Sequence, residues 1–274
     1  MEDEKTRSES TTNDGPEVGT RFSAAEIHEN IVEDAQEELE RPALELALSG
    51  LASGLLIGFS FLGVALLSSH MPAVDHAIAA TIAYPVGFIF VVLARHQLFT
   101  ENTLEPVLPV LEQRTAQALM RMLRLWGIVL LANLAGTALF ALVVARTPML
   151  DPSLGGALLA TARDAVKESG PITLYKAIWA GWLVALMAWL IASTRDTTAQ
   201  VLLIWLATAP IAGLGFKHAI AGASEAFYLV WLGDISLGRM ITRFEIPALA
   251  GNVIGGVVLV ALLNYGQVRH TRDK

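Results

Sequence analysis

The groups able to do chemistry lie in two short polar runs set between apolar stretches. The first reads Arg95-His-Gln-Leu-Phe-Thr-Glu-Asn-Thr103 and the second Gly215-Phe-Lys-His218, with Glu225 further along the same apolar stretch. A charge at the centre of a bilayer costs about 2.5–3.5 kcal/mol on the mildest insertion scale. If these stretches cross a membrane, Arg95, Lys217 and His218 therefore need water or partners. Glu101 and Glu225 are the nearest acids in sequence, and Arg95–Glu101 and Lys217–Glu225 pairs would neutralise the cations. The alternative is an electropositive pathway for small anions, with His218 lending a proton. Histidine suits that role because its unperturbed pKa of about 6.5 lies within physiological reach.

The surrounding sequence supplies the membrane. Of 274 residues, 54% are hydrophobic and 16% charged, and the mean hydropathy is +0.52. A soluble domain carries about 25% charged residues. Uncharged stretches run over 46–74, 76–94, 125–145, 177–194, 197–216 and 246–268. About 20 apolar residues cross the hydrocarbon as a helix, so the expectation is an all-α membrane protein with six spans. The net charge of −7 conceals two balances, because residues 1–40 hold 13 of the 26 acids and only 3 of the 19 bases. No concentrated basic face suggests nucleic acid. The absence of cysteine removes disulfides, thiolates and Cys-based metal sites, and no cofactor or metal is expected.

Six spans put both termini on one side. Lys/Arg counts favour the cytoplasm for that side, with 11 bases there against 6 opposite. Residues 1–22 read as a disordered acidic tail. Residues 23–41 read as an amphipathic cytoplasmic helix, opened by the capping-box spacing of Ser23 and Glu26 and striped by Ile27, Ile31, Val32 and Ala35. The membrane domain is expected over 42–268, followed by a basic cytoplasmic tail at 269–274. Gly50, Gly54 and Gly58, like Gly251 and Gly255, have the spacing of close helix contacts. Trp126, Trp182, Trp189 and Trp205 read as lipid-facing or subunit-contact residues.

An internal echo links the halves. Leu131-Ala-Asn133-Leu-Ala-Gly136 resembles Ala250-Gly-Asn252-Val-Ile-Gly255. Three spans per half would insert a duplicate upside down, giving inverted repeats at about 42–147 and 172–268. The second and fifth spans each read as an apolar half, a polar break and a shorter apolar half. Such matched interruptions are the best sequence pointer to a translocation site. The other reading of Arg95 to Thr103 is an ordinary loop at the membrane surface.

These segments resemble the formate/nitrite transporter family over roughly residues 24–268. The residues that carry the likeness are Tyr84-Pro-Val-Gly-Phe88, Gln97-Leu-Phe-Thr100, Gly215-Phe-Lys-His218-Ala-Ile-Ala221 and Ile246-Pro-Ala-Leu-Ala-Gly-Asn252-Val-Ile-Gly-Gly256. The run around Arg95 is most similar to the YfdC-like branch of bacterial inner-membrane proteins. The resemblance implies a homopentamer of aquaporin-like protomers, each with a pore for small weak-acid anions such as formate or nitrite. It implies that His218 is the central pore histidine and Thr100 the threonine of the first break. Leu98 and Phe99 would then form one apolar gate, with Tyr84 and Phe88 near the opposite constriction. Four positions depart from the family pattern: Lys217 replaces a glutamate, Gly181 and Gly222 replace asparagines, and Glu101 stands where small residues are commoner. Either Lys167 or Lys176 could be the family's vestibule lysine.

Two other functions compete with the anion channel. One is a pore for a neutral solute, although no Asn-Pro-Ala pair marks the breaks. The other is a non-conducting scaffold or sensor with an acidic arm. An enzyme is not expected, since no paired His/Glu metal motif or Gly-x-Ser-x-Gly elbow occurs.

Overall fold

The computed structural model describes residues 22–272, with side chains to residue 268. The expected tail over 1–22 lies outside these residues except for Phe22, as do the last two residues of the chain. Helix α1 (Ala24–Glu40) is opened by the capping box: Ser23 Oγ accepts from the Glu26 N–H, and the Ser23 N–H donates to Glu26 Oε2. The buried face of α1 comprises Ile27, His28, Ile31, Val32, Ala35 and Leu39.

The remaining chain forms α2 (Ala43–His70), α3 (His76–Ala83), α4 (Pro85–Leu93), α5 (Val107–Gln113), α6 (Ala116–Arg146), α7 (Gly155–Val166), α8 (Gly170–Ile191), α9 (Thr197–Gly213), α10 (Ala219–Leu232), α11 (Leu237–Met240), α12 (Ile246–Gly256) and α13 (Leu263–Arg272). Among the described residues, five helical runs are long and apolar enough to cross a membrane. These are Ala43–His70, His76–Leu93, Ala116–Arg146, Gly170–Ile191 and Leu237–Val268. Thr197–Gly213 and Ala219–Leu232 are shorter apolar helices. Several helices outrun the uncharged stretches because Arg121, Arg124 and Lys176 are carried on helical backbone. Long basic side chains can lie along apolar surface while the charged head reaches the interface.

Helix α2 packs on α6, and α8 packs on α12. Glycines set the closeness of both contacts. A Cβ on Gly54 would collide with Asn133 O, and one on Gly136 with Leu51 O. At the other contact, a Cβ on Gly251 would lie 2.5 Å from Leu174 O, and one on Gly255 would collide with Ile178 O. Gly181, where the resemblance would place asparagine, faces the Asn252 backbone in the same way and leaves no room for a side chain. The last long helix carries π-helical turns at Ile241–Glu245 and Val257–Leu262.

The two polar runs interrupt helices in the same manner. After α4, Arg95 adopts φ 53°, and the His96 N–H reaches back to Val91 O at 3.1 Å. After α9, Gly215 adopts φ 68°, and the Phe216 N–H reaches Ile211 O at 2.7 Å. Each extended strand of the break is then gripped by a buried asparagine. Asn133 Nδ2 donates to Gly50 O and Gln97 O, while its Oδ1 accepts from the Phe99 N–H. Asn252 Nδ2 donates to Ala177 O and Lys217 O, while its Oδ1 accepts from the Ala219 N–H.

The expected surface-loop alternative for the first run is corrected here, because Leu98, Phe99, Thr100 and Thr103 are all buried. The expected Arg95–Glu101 ion pair is corrected too. Arg95 is exposed at the helix end, and among the described residues it makes no ion pair with Glu101.

Replacing Asn252 or Asn133 by Ala strands buried backbone groups, each costing about 1–3 kcal/mol. Either substitution should lower the thermal unfolding midpoint of the purified protein by several degrees. A change smaller than that of an exposed control, such as Leu131→Ala, would show that the breaks hold themselves without the amides.

Candidate functional site

The two breaks meet at a hydrogen bond. His218 caps α10: its Nδ1 accepts the Ala221 N–H at 3.0 Å, and its C=O accepts from the Gly222 N–H. Because Nδ1 is an acceptor, the neutral ring carries its proton on Nε2. Nε2 lies 2.7 Å from Thr100 Oγ1 and donates to it. The Thr100 hydroxyl then keeps its own proton for another acceptor. Both side chains are buried, at 2% and 0% exposure. The N-terminal dipole of α10, fourteen residues long, adds positive potential at this point.

Apolar groups flank the pair. The Phe88 ring stands edge-on to the His218 ring with centroids 5.0 Å apart, and Tyr84 lies 5.3 Å beyond Phe88. On the strand of the first break, Leu98 is fully buried and Phe99 packs edge-on against Trp126 at 5.6 Å. Trp126 also donates through Nε1 to Asn102 O at 2.8 Å. It therefore braces the break while its ring remains part-exposed. Trp189 is buried, whereas Trp205 is 40% exposed. Gln97 is held by Ser49 Oγ at its backbone N–H and accepts from Asn102 Nδ2.

A cavity opens on one side of His218, with about 490 Å³ of empty space once the open solvent at its mouth is counted. Its walls include Tyr84, Lys217, His218 and Glu225 from the expected set, together with His76, Thr161, Asp164 and Phe244. Arg95, Glu101, Leu98 and Phe99 do not line it. The residues missed in the sequence come from the first residue of α3, from α7, which is too short to read as a span, and from the π-helical turn. The pathway is not simply electropositive, since Asp164 and Glu225 share the cavity with Lys217. Lys217 Nζ donates to Asp164 O at 3.2 Å, and among the described residues it forms no ion pair with Glu225.

The neighbouring charges are paired off. Lys167 binds Asp164 at 2.5 Å and Lys176 binds Glu168 at 2.6 Å. Of the two lysines left open by the sequence, Lys176 approaches the second break: its Nζ would lie 3.8 Å from a Cβ on Gly215. At the outer end of α7, Arg163 binds Asp234 and holds that carboxyl below the usual carboxylate range. Among the described residues no His/Asp/Glu cluster could hold a metal ion.

The family model described as formate/nitrite transporter matches residues 25–266. The chain belongs to the formate/nitrite transporter family. It is 35% identical over 269 residues to the inner membrane protein YfdC of Escherichia coli, covering 98% of this chain and 86% of that one. It is 24% identical to the formate channel BtFdhC of Bacillus thuringiensis, covering 91% and 97%. Among solved structures, a pentameric formate channel with formate bound superimposes with a TM-score of 0.69 at 22% identity, covering 82% of this chain and 97% of the other. Family and structural neighbours are channels and transporters rather than enzymes.

At Gly222, where the resemblance would place an asparagine, a Cβ would collide with the Phe244 ring. Phe244 thus occupies space that an amide would take. Gly222→Asn alone should lower the melting temperature, and Phe244→Ala in the same chain should restore part of the loss. Two independent, additive losses would mean that the residues do not exclude one another.

Proposed function

We propose that the protein is a six-span, multi-pass homopentameric channel of the bacterial inner membrane for small monovalent weak-acid anions, one pore per subunit. The observation that carries this reading is the 2.7 Å hydrogen bond between Thr100 and His218, which joins the two helix breaks between apolar constrictions. Apolar constrictions exclude hydrated ions, while a central donor stabilises an anion that has shed water. The Thr100 hydroxyl supplies that donor, and His218 orients it and adds the positive end of α10. Leu98 and Phe99 form one gate, Tyr84 and Phe88 the other, and Lys217 draws the anion inward. The formate channels among the relatives and structural neighbours support the substrate class, and the pentameric neighbour supports the assembly. The inner-membrane relative supports the location.

The matched asparagine brackets support two inverted three-helix repeats, about 42–147 and 172–268, in an aquaporin-like protomer. Gln97 and Lys217 are then equivalent positions, as are Leu98 and His218. The duplication would have produced one apolar and one polar lining residue from the same backbone geometry. Both termini, the 23–41 helix and the 269–274 tail lie on the cytoplasmic side in this reading.

Flux of formate, acetate, nitrite and hydrosulfide into proteoliposomes tests the function. The wild-type chain should conduct at least one of them, and His218→Ala and Thr100→Val should each reduce that flux about tenfold or more, a barrier increase of about 1.4 kcal/mol. Thr100→Ser should retain most of it. Osmotic water flux without anion flux would point to a neutral-solute pore, and no flux from assembled protein would point to a scaffold.

A further inference from the structure

The charges around the cavity do not sum to the field that a bare anion would choose. Asp164 and Lys167 neutralise one another, as do Glu168 and Lys176. Two charged groups remain inside, Lys217 at 5% exposure and Glu225 at 8%. Lys217 Nζ has three donors and uses one, on Asp164 O. The Glu225 carboxylate accepts no hydrogen bond from any described residue, although α10 buries it on the cavity wall. On the same wall the Thr161 hydroxyl, at 4% exposure, has no partner either. Buried polar groups are ordinarily hydrogen-bonded, and each exception needs an explanation.

We propose that this cavity is a binding site for a short zwitterion, whose carboxylate is held by Lys217 and whose ammonium is held by Glu225, with Thr161 contributing a hydroxyl. An anion such as formate satisfies Lys217 but leaves Glu225 facing it with like charge and no donor. A lone cation leaves Lys217 in the equivalent position. A solute with both charges and no net charge satisfies each group and leaves the cavity neutral. Glycine is the smallest such solute. Exposed charge pairs contribute little to affinity, whereas charge-assisted hydrogen bonds away from water contribute most. Burial of both groups is therefore what makes the site selective. The site lies on the solute path of the function proposed above and rests on that path being open to solute.

Calorimetric titration of the full chain in lipid nanodiscs with glycine, formate and methylammonium tests it. Wild-type protein should bind glycine at least tenfold more tightly than either singly charged probe. Glu225→Gln should weaken glycine about tenfold and turn the preference to formate. Lys217→Gln should weaken glycine similarly and turn the preference to methylammonium. A substitution that merely loosened the fold would weaken all three probes together, and opposite turns in preference separate the two cases. If Lys217→Gln does not assemble, Glu225→Gln and Glu225→Ala alone must show the turn toward formate. The proposal is overturned if wild-type protein does not bind glycine, or if the variants lose all probes in parallel. Formate flux without glycine binding overturns this proposal alone. Glycine binding without flux of any anion overturns the anion channel and leaves the zwitterion site standing.

Discussion

Irregular backbone at membrane depth is permitted only where every exposed N–H and C=O finds a partner inside the protein. Asn133 and Asn252 meet much of that constraint, by partnering Gln97 O and the Phe99 N–H in one break and Lys217 O and the Ala219 N–H in the other. Each amide spends both donors on carbonyls, one in the break and one on a neighbouring helix, and returns its oxygen to a backbone N–H. With these groups partnered, the side chains of Thr100 and His218 are left to meet each other. The site depends on the brackets before it depends on its own chemistry.

The brackets in turn require backbones to come close. Gly54 and Gly136 at one helix contact, and Gly181, Gly251 and Gly255 at the other, bring main chains within the reach of a short amide. Small residues serve this purpose generally in bilayers, where helices gain little from burying apolar surface against one another. At Gly181 and Gly222, where the resemblance would place asparagines, the Asn252 backbone and the Phe244 ring leave no room for a side chain.

The electrostatics are local rather than global. The acid-rich first 40 residues dominate the net charge, yet the cavity beside His218 holds its own small ledger of Lys217, Glu225 and Asp164. Lys217 is satisfied partly by a backbone carbonyl on α7 rather than by the nearest acid in sequence. Sequence proximity ranked Glu101 and Glu225 as charge partners. The fold instead leaves Arg95 exposed and sets Glu225 and Lys217 on one cavity without a direct salt bridge.

Much was legible in the residues alone because its causes are local. Apolar runs of crossing length declare membrane helices, and the Ser23–Glu26 spacing declares a helix start, since both groups lie within one turn. The polar runs declare the breaks, and the echo of Asn133 in Asn252 marks the two residues that hold them. Their grip was not legible, because each amide reaches residues dozens of positions away. The pairing of Thr100 with His218, the bracing of the first break by Trp126 and the entry of Thr161, Asp164 and Phe244 into the cavity depend likewise on which helices approach. Sequence determined which residues a lipid environment would tolerate and where helices must stop. Only the tertiary structure decided which polar groups met, because hydrogen bonds act over about 3 Å and no pattern along the chain encodes that distance.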